Sequence, residues 1–151
     1  IFVMDSGKIM QSGTPEDIYA NSSNPFVANF IGMTNFIEGH VLNKDSIKVD
    51  NKQIAINSHS YKKGTKVIIA ARPEYVQLAE KNSSNTFVGR VVDVEFLGSF
   101  LRIHLETSIM PDQPLIADKP MIDNFSESVA IGDNLNFTLS PNHLNVYECD
   151  N

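Results

Sequence analysis

Hydrophobic and polar positions follow two rhythms along this 151-residue chain. In the first 33 residues, short apolar runs at Phe2 to Met4 and Lys8 to Gln11 flank Asp5-Ser6-Gly7. That pattern predicts a hairpin, with the glycine placed for a left-handed turn residue. Thr14-Pro15 and Asn24-Pro25 then each set a capping side chain before a proline, which opens a helix. Asp17 stands where the acid of a capping box belongs. Phe26, Val27, Phe30 and Ile31 repeat at helical spacing and predict one apolar face, with Gly32 as the stop.

From Phe36 onward, short β-rich runs alternate with Gly, Asn, Asp and Pro. This predicts a mainly β barrel or sandwich. The region also repeats itself. Gly64 to Leu78 can be laid on Gly132 to Val146 at a constant offset, 132 − 64 = 68. Gly64 matches Gly132 and Pro73 matches Pro141; Val67, Ile69 and Ala71 match Leu135, Phe137 and Leu139 at period two. Ile37 to Val41 likewise resembles Phe87 to Val91. The prediction is two related β units, Phe36 to Glu80 and Thr86 to Glu148, each with a turn, a half-buried strand and a proline-marked corner. Lys81 to Asn85, polar and without apolar anchors, is the expected joint. Val88, Arg90, Val92, Val94 and Phe96 alternate with Gly89, Val91, Asp93, Glu95 and Leu97, and a turn at Gly98-Ser99 sends Phe100 to Glu106 back, with Leu101, Ile103 and Leu105 on one face. Thr107 to Val129 carries Pro111, Pro114 and Pro120, and reads as loops around a short Leu115 to Ala117 strand.

The net charge of -6 argues against a nucleic-acid surface, which needs clustered Lys and Arg. No apolar run reaches the roughly 20 residues that span a bilayer as a helix. Cys149 is the one cysteine, so no internal disulfide forms, in keeping with a reducing compartment. His40, His59, His104 and His143 lack zinc-like spacing, and no phosphate-binding Gly-x-x-x-x-Gly-Lys-Ser/Thr loop or Gly-x-Ser-x-Gly elbow occurs. No catalytic, cofactor or metal residue is assigned.

Residues 1–19, with Gly13-Thr14-Pro15 leading into Ile18-Tyr19, resemble the segment that follows the switch histidine in importer ATPases of the ABC class. Asn24 to Gly32 resembles the helix that closes that domain. Arg72-Pro73-Glu74 after a strand, and Val94 to Gly98, resemble marks of the OB-like, TOBE-type accessory domain of maltose, polyamine, iron and phosphonate importers. The resemblance implies two parts: residues 1–33 as the tail of an ATPase domain, and residues 36–150 as an OB-like accessory domain. It implies a non-catalytic regulatory and dimerisation role, with ATP and magnesium bound only by the full-length parent. It also implies a homodimer, membrane permease subunits as partners, and a cytoplasmic place on the inner face of the cell membrane. The alternative function is a β domain that senses a small solute or oxyanion and inhibits transport.

Four residues stand out for interaction. Arg72 and Glu74 flank a proline and are replaced by Ser140 and Asn142 in the second copy; they read as a structural pair first and a partner contact second. Phe100 beside Arg102 offers a stacking platform of the kind OB folds use, against the plainer reading of a half-exposed hairpin packed on a neighbour.

Overall fold

The computed structural model describes residues 1–79, 84–121 and 129–150. In the tail, β1 (Phe2–Asp5) pairs antiparallel with β2 (Lys8–Ser12). Ser6 and Gly7 both take positive φ, which suits a two-residue hairpin turn. Helix α1 (Pro15–Ala20) begins at Thr14, whose hydroxyl accepts from the Asp17 N–H. Helix α2 (Pro25–Ile31) begins at Asn24, which accepts from the Val27 N–H. Gly32 caps α2 in an extended conformation rather than the left-handed one its residue type suggested. The tail's own core is small: Val3, Ile18 and Val27 are buried, with Met10 and Ile31 against them.

The β body has two five-stranded sheets around one core. One runs β5-β4-β3-β6-β12, from β3 (Asn35–Asn43), β4 (Ser46–Val49), β5 (Lys52–Ala55), β6 (Lys66–Ala71) and β12 (Leu144–Glu148). The other runs β10-β9-β8-β11-β7, from β7 (Val76–Leu78), β8 (Thr86–Phe96), β9 (Phe100–Thr107), β10 (Met110–Pro120) and β11 (Asn134–Leu139). The fold is mainly β and OB-like, as the sequence predicts. Among the described residues no helix is long and apolar enough to cross a membrane.

The repeat is structural, with a matching register. Gly39 pairs with Val67 and Gly89 with Leu135; Ile37 pairs with Ile69 and Phe87 with Phe137. Gly64 and Gly132 both take positive φ, and their N–H groups donate to Val41 O and Val91 O, both at 2.8 Å. Each unit gives its last strand to the other. Strand β7 lies on β11 with Val76 opposite Leu139, and β12 lies on β6 with Leu144 opposite Ala71. The period-two pattern fixed which face the repeated strands β6 and β11 bury; it did not show this exchange.

Two expectations are corrected. In the stretch after Thr107, Met110–Pro120 forms one strand at a sheet edge rather than loops around a short strand, and residues 122–128 lie outside the described residues. An edge tolerates its prolines, whose missing N–H breaks no ladder bond on the open side. Strand β8 does not alternate evenly either. The register shifts between Val91 and Asp93, so Phe87, Gly89 and Val91 face inward but Val94 replaces Asp93 against the core. Of the expected joint, Lys81 to Ser83 lie outside the described residues.

Asn85, at the end of that joint, is an anchor. Its amide donates to Ala55 O (2.8 Å) and Leu139 O (2.9 Å) and accepts from the Ala55 N–H (2.7 Å). Asn35 makes the related pair of bonds to Ile116 N–H and O, both at 2.8 Å. Each buried asparagine thus ties its own unit to an outer strand of the other. Asn85 also holds φ 56°. Asn85→Ala is expected to destabilise by about 3 kcal/mol, combining lost buried hydrogen bonds with left-handed strain. Asn85→Gly should recover about 1 kcal/mol of that, the backbone share. Urea unfolding of the three proteins checks both values; equal losses in the two variants would remove the strain component.

Candidate functional site

Arg72 follows β6 and precedes a 3₁₀ turn, Pro73–Tyr75. The turn ends the strand, and the Arg72 side chain leaves the barrel to enter the tail, where the residue is 7% exposed. Nη1 donates to Ala28 O and Gly32 O, both at 2.8 Å, and to the Thr34 hydroxyl. Nη2 donates to Tyr19 O at 3.2 Å and Ser22 Oγ at 3.4 Å. The guanidinium also lies 4.2 Å from the centre of the Tyr19 ring. No carboxylate among the described residues forms an ion pair with Arg72. Carbonyls from the end of α2 face its charge instead, where a helix carries partial negative charge. Gly32 leaves the room: a Cβ there would meet Tyr19 Cε2 at 3.3 Å and Arg72 Nη1 at 3.4 Å.

Glu74 does not pair with Arg72. It accepts a hydrogen bond from the Tyr19 hydroxyl. Burial first, and then the Glu74 hydrogen bond and charge, push the Tyr19 hydroxyl up to about 12, against the opposing charge of Arg72. The second unit grips the tail as well. Asn145 donates to Ala20 O at 3.0 Å, and the Tyr147 hydroxyl donates to Ser22 O at 2.7 Å. Burial raises the Tyr147 hydroxyl above its ordinary range. The first 3₁₀ corner, β6 and β12 therefore hold residues 19–34 from one side.

A cavity of about 230 Å³ opens beside Arg72, lined in part by Tyr19, Asn57, Tyr75, Asn142 and His143. Tyr75 and His143 stack with ring centres 3.9 Å apart and planes within 9°. They occupy equivalent positions in the two corners, Pro73–Tyr75 and Pro141–His143. The offset of 68 made that equivalence readable, but not the contact. The duplication breaks where the tail docks, because Ser140 occupies the second copy's equivalent of Arg72.

Phe100 and Arg102 lie on the outer side of the β8–β9 hairpin. Arg102 gives a two-pronged ion pair to Asp118, Nε to Oδ1 at 2.9 Å and Nη2 to Oδ2 at 3.0 Å. That pairing raises its already high pKa. Its guanidinium is 5.5 Å from the Phe100 ring centre. The planar fork is therefore committed within the sheet. The two sequence-picked places are linked by β10, which packs on the first corner and whose Lys119 Nζ donates to Val76 O at 2.6 Å. Beside Arg102, His104 Nε2 and Glu95 Oε2 are 2.7 Å apart, and Asp93 lies across from His104. Asp93, Glu95 and His104 hold ligand-type atoms within 4.8 Å of one another. Sequence reading missed this trio because its members converge only through strand register.

Residues 69–146 match the family model of the TOBE domain. The spermidine/putrescine import ATP-binding protein PotA of Clostridium acetobutylicum is 28% identical over 146 residues, which cover 97% of this chain and 39% of that protein. The PotA protein of Acetivibrio thermocellus is 32% identical over 146 residues, with the same shares. The Fe(3+) ions import ATP-binding protein FbpC 2 of Rhizobium meliloti is 32% identical over 130 residues, covering 78% of this chain and 33% of that protein. The chain thus spans about two fifths or less of the length of these curated relatives. Among solved structures, the cytoplasmic molybdate-binding protein ModG superimposes with a TM-score of 0.63 at 12% identity, over 74% of this chain and 94% of ModG. That likeness is one of fold.

Proposed function

Because this chain belongs to the TOBE-domain family, we propose that it is the non-catalytic accessory part of an ABC-importer ATP-binding subunit, joined to the last segment of the ATPase domain. On this reading residues 1–33 are that segment and residues 36–150 the accessory domain. The single observation that carries it is the joint. A guanidinium and two side chains of β12 hold helices α1 and α2, so a movement of the tail is felt at the β body. The parent works with membrane permease subunits at the inner face of the membrane. ATP with magnesium does not fit these residues: the phosphate loop is missing from the sequence, and carbonyl and hydroxyl oxygens take up the Arg72 donors. In the full-length subunit, Arg72→Ala should lower solute uptake at least fivefold while ATP binding persists. Polyamine uptake is the transport to assay first, given the names of the relatives. Unchanged uptake would count against the coupling role.

The accessory domain also pairs with its twin. Val88, Phe96 and Ile131 are exposed on the β body and are apolar side chains that a twin could cover. Sedimentation of the chain should show a concentration-dependent dimer that Val88→Asp or Phe96→Asp weakens. A monomer at high micromolar concentration would sink the pairing.

The cavity beside Arg72 favours a second reading, in which a small solute settles there against Tyr19, Tyr75 and His143 and restrains transport. Phe100 and Arg102 support it less, because Asp118 already occupies Arg102.

A further inference from the structure

We propose that Asp93, Glu95 and His104 form a binding site for a first-row divalent transition-metal ion, for which zinc is the probe. The site starts from a β-bulge. Val91 pairs with Leu105, yet the next pair is Asp93 with His104. Even alternation would have set Asp93 beside Ile103, a fully buried residue. The extra residue turns Asp93 to the outer face, the kind of re-aiming that bulges perform beside functional sites. The same bulge occurs in the first copy, where Val41 pairs with Ile47 and Asn43 with Ser46. There Asn43 and Ser46 fill the positions of Asp93 and His104, and the hairpin ends. The ligand set therefore belongs to the extended hairpin of the second copy alone.

The local charges favour a cation. Glu95 lies opposite Arg102 in register, but the Arg102 fork goes to Asp118. Arg90 faces Glu106 at 3.9 Å. Arg102 keeps only a longer-range attraction to Glu95. Among the described residues, the His104 imidazole is the close side-chain partner of Glu95, and no ion pair engages Asp93 on the same strand face. Asp93 spends one oxygen, Oδ1, on the Val94 N–H at 2.9 Å, which holds the carboxylate near its strand.

The geometry is within reach of coordination. The three ligand atoms lie within 4.8 Å of one another. Zinc bonds of about 2.0–2.2 Å in a tetrahedron put neighbouring donors roughly 3.3–3.6 Å apart. Asp93 and Glu95 are exposed, so side-chain rotation closes the difference without backbone movement. One imidazole nitrogen and two carboxylates suit zinc and its neighbours better than magnesium, which prefers an all-oxygen shell. Water completes the coordination from the open side. The bound ion would fasten β8 to β9 beyond the bulge.

Calorimetric titration of zinc chloride into the 151-residue chain, in buffer free of chelators, tests the site. One saturable event is expected. Asp93→Asn and His104→Gln should each weaken it tenfold or more, and His40→Gln, at an exposed position outside the site, should leave it unchanged. A zinc-dependent shift of the His104 ring signals in NMR should accompany binding. Absence of saturable binding overturns the proposal. So does binding that survives both site variants, or that disappears in His40→Gln. Should His104→Gln fail to fold, Asp93→Asn at an exposed position still decides.

Discussion

Arg72→Ala should release residues 1–33 from the β body. A side chain buried to 7% exposure loses charged hydrogen bonds to Ala28, Gly32, Thr34, Tyr19 and Ser22, together with its stacking on Tyr19. Single hydrogen bonds to charged groups contribute about 1.5–3 kcal/mol. The loss is smaller than their sum, because the single Thr34 O–H lies within reach of the same Ala28 and Gly32 carbonyls and can serve one of them. An overall loss of about 3–4 kcal/mol follows, among the larger single-site effects. It should appear locally. The tail has three buried apolar residues in its own cluster, whereas the body keeps a separate and much larger core. Hydrogen exchange should then show α1 and α2 losing protection by 100-fold or more, with β3 and β6 little changed. Arg72→Lys should rescue little, since an ammonium cannot reach several carbonyls with a planar fork. Tail protection equal to wild type in Arg72→Ala would show that Asn145 and Tyr147 hold the joint without it.

Gly39→Ala should damage the body instead. A Cβ at this position would lie 2.6 Å from Ile47 Cγ2, 2.7 Å from Lys48 O and 2.9 Å from Val49 Cγ2. One of these atoms is backbone, so rotamer changes cannot relieve the clash, and β3 and β4 must move apart. Overpacking in a dense core costs about 1–3 kcal/mol, and a backbone clash belongs at the upper end or beyond. Gly89→Ala, in the related position of the second copy, should cost less. Its closest approach is 2.9 Å to Leu105 Cβ, followed by 3.3 Å to Phe137 Cε1. Thermal unfolding of both variants checks the order. A Gly39→Ala protein as stable as Gly89→Ala would mean that the sheet yields more readily than these distances imply.

Local chemistry in the sequence carried much of the architecture. The hairpin and both helices were legible because turn and cap signals act within a few residues: Ser6-Gly7, Thr14-Pro15 and Asn24-Pro25. The duplication was legible because equivalent strands need equivalent apolar spacing, and the offset of 68 carries Lys66–Ala71 onto Asn134–Leu139. Where local signals misled, tertiary context overrode them. Pro111 and Pro114 lie within an edge strand, and a bulge that no residue announces reverses the alternation after Val91.

Read alone, the sequence determined the hairpin and two helices of residues 1–33, the buried faces of β6 and β11 and the existence of two units, since those rest on local turn and cap signals and on a period of two. It singled out Arg72, Glu74, Phe100 and Arg102 but could not name their partners. Arg72 reaches carbonyls some 40–53 positions away, Glu74 meets Tyr19 at a separation of 55, and Arg102 meets Asp118 across a register. The exchange of β7 and β12, the asparagine ties, the Tyr75–His143 stack and the convergence of Asp93, Glu95 and His104 were decided only by the tertiary structure. Each depends on which strand lies beside which, and strand pairing is a property of the assembled sheets rather than of any local run of residues.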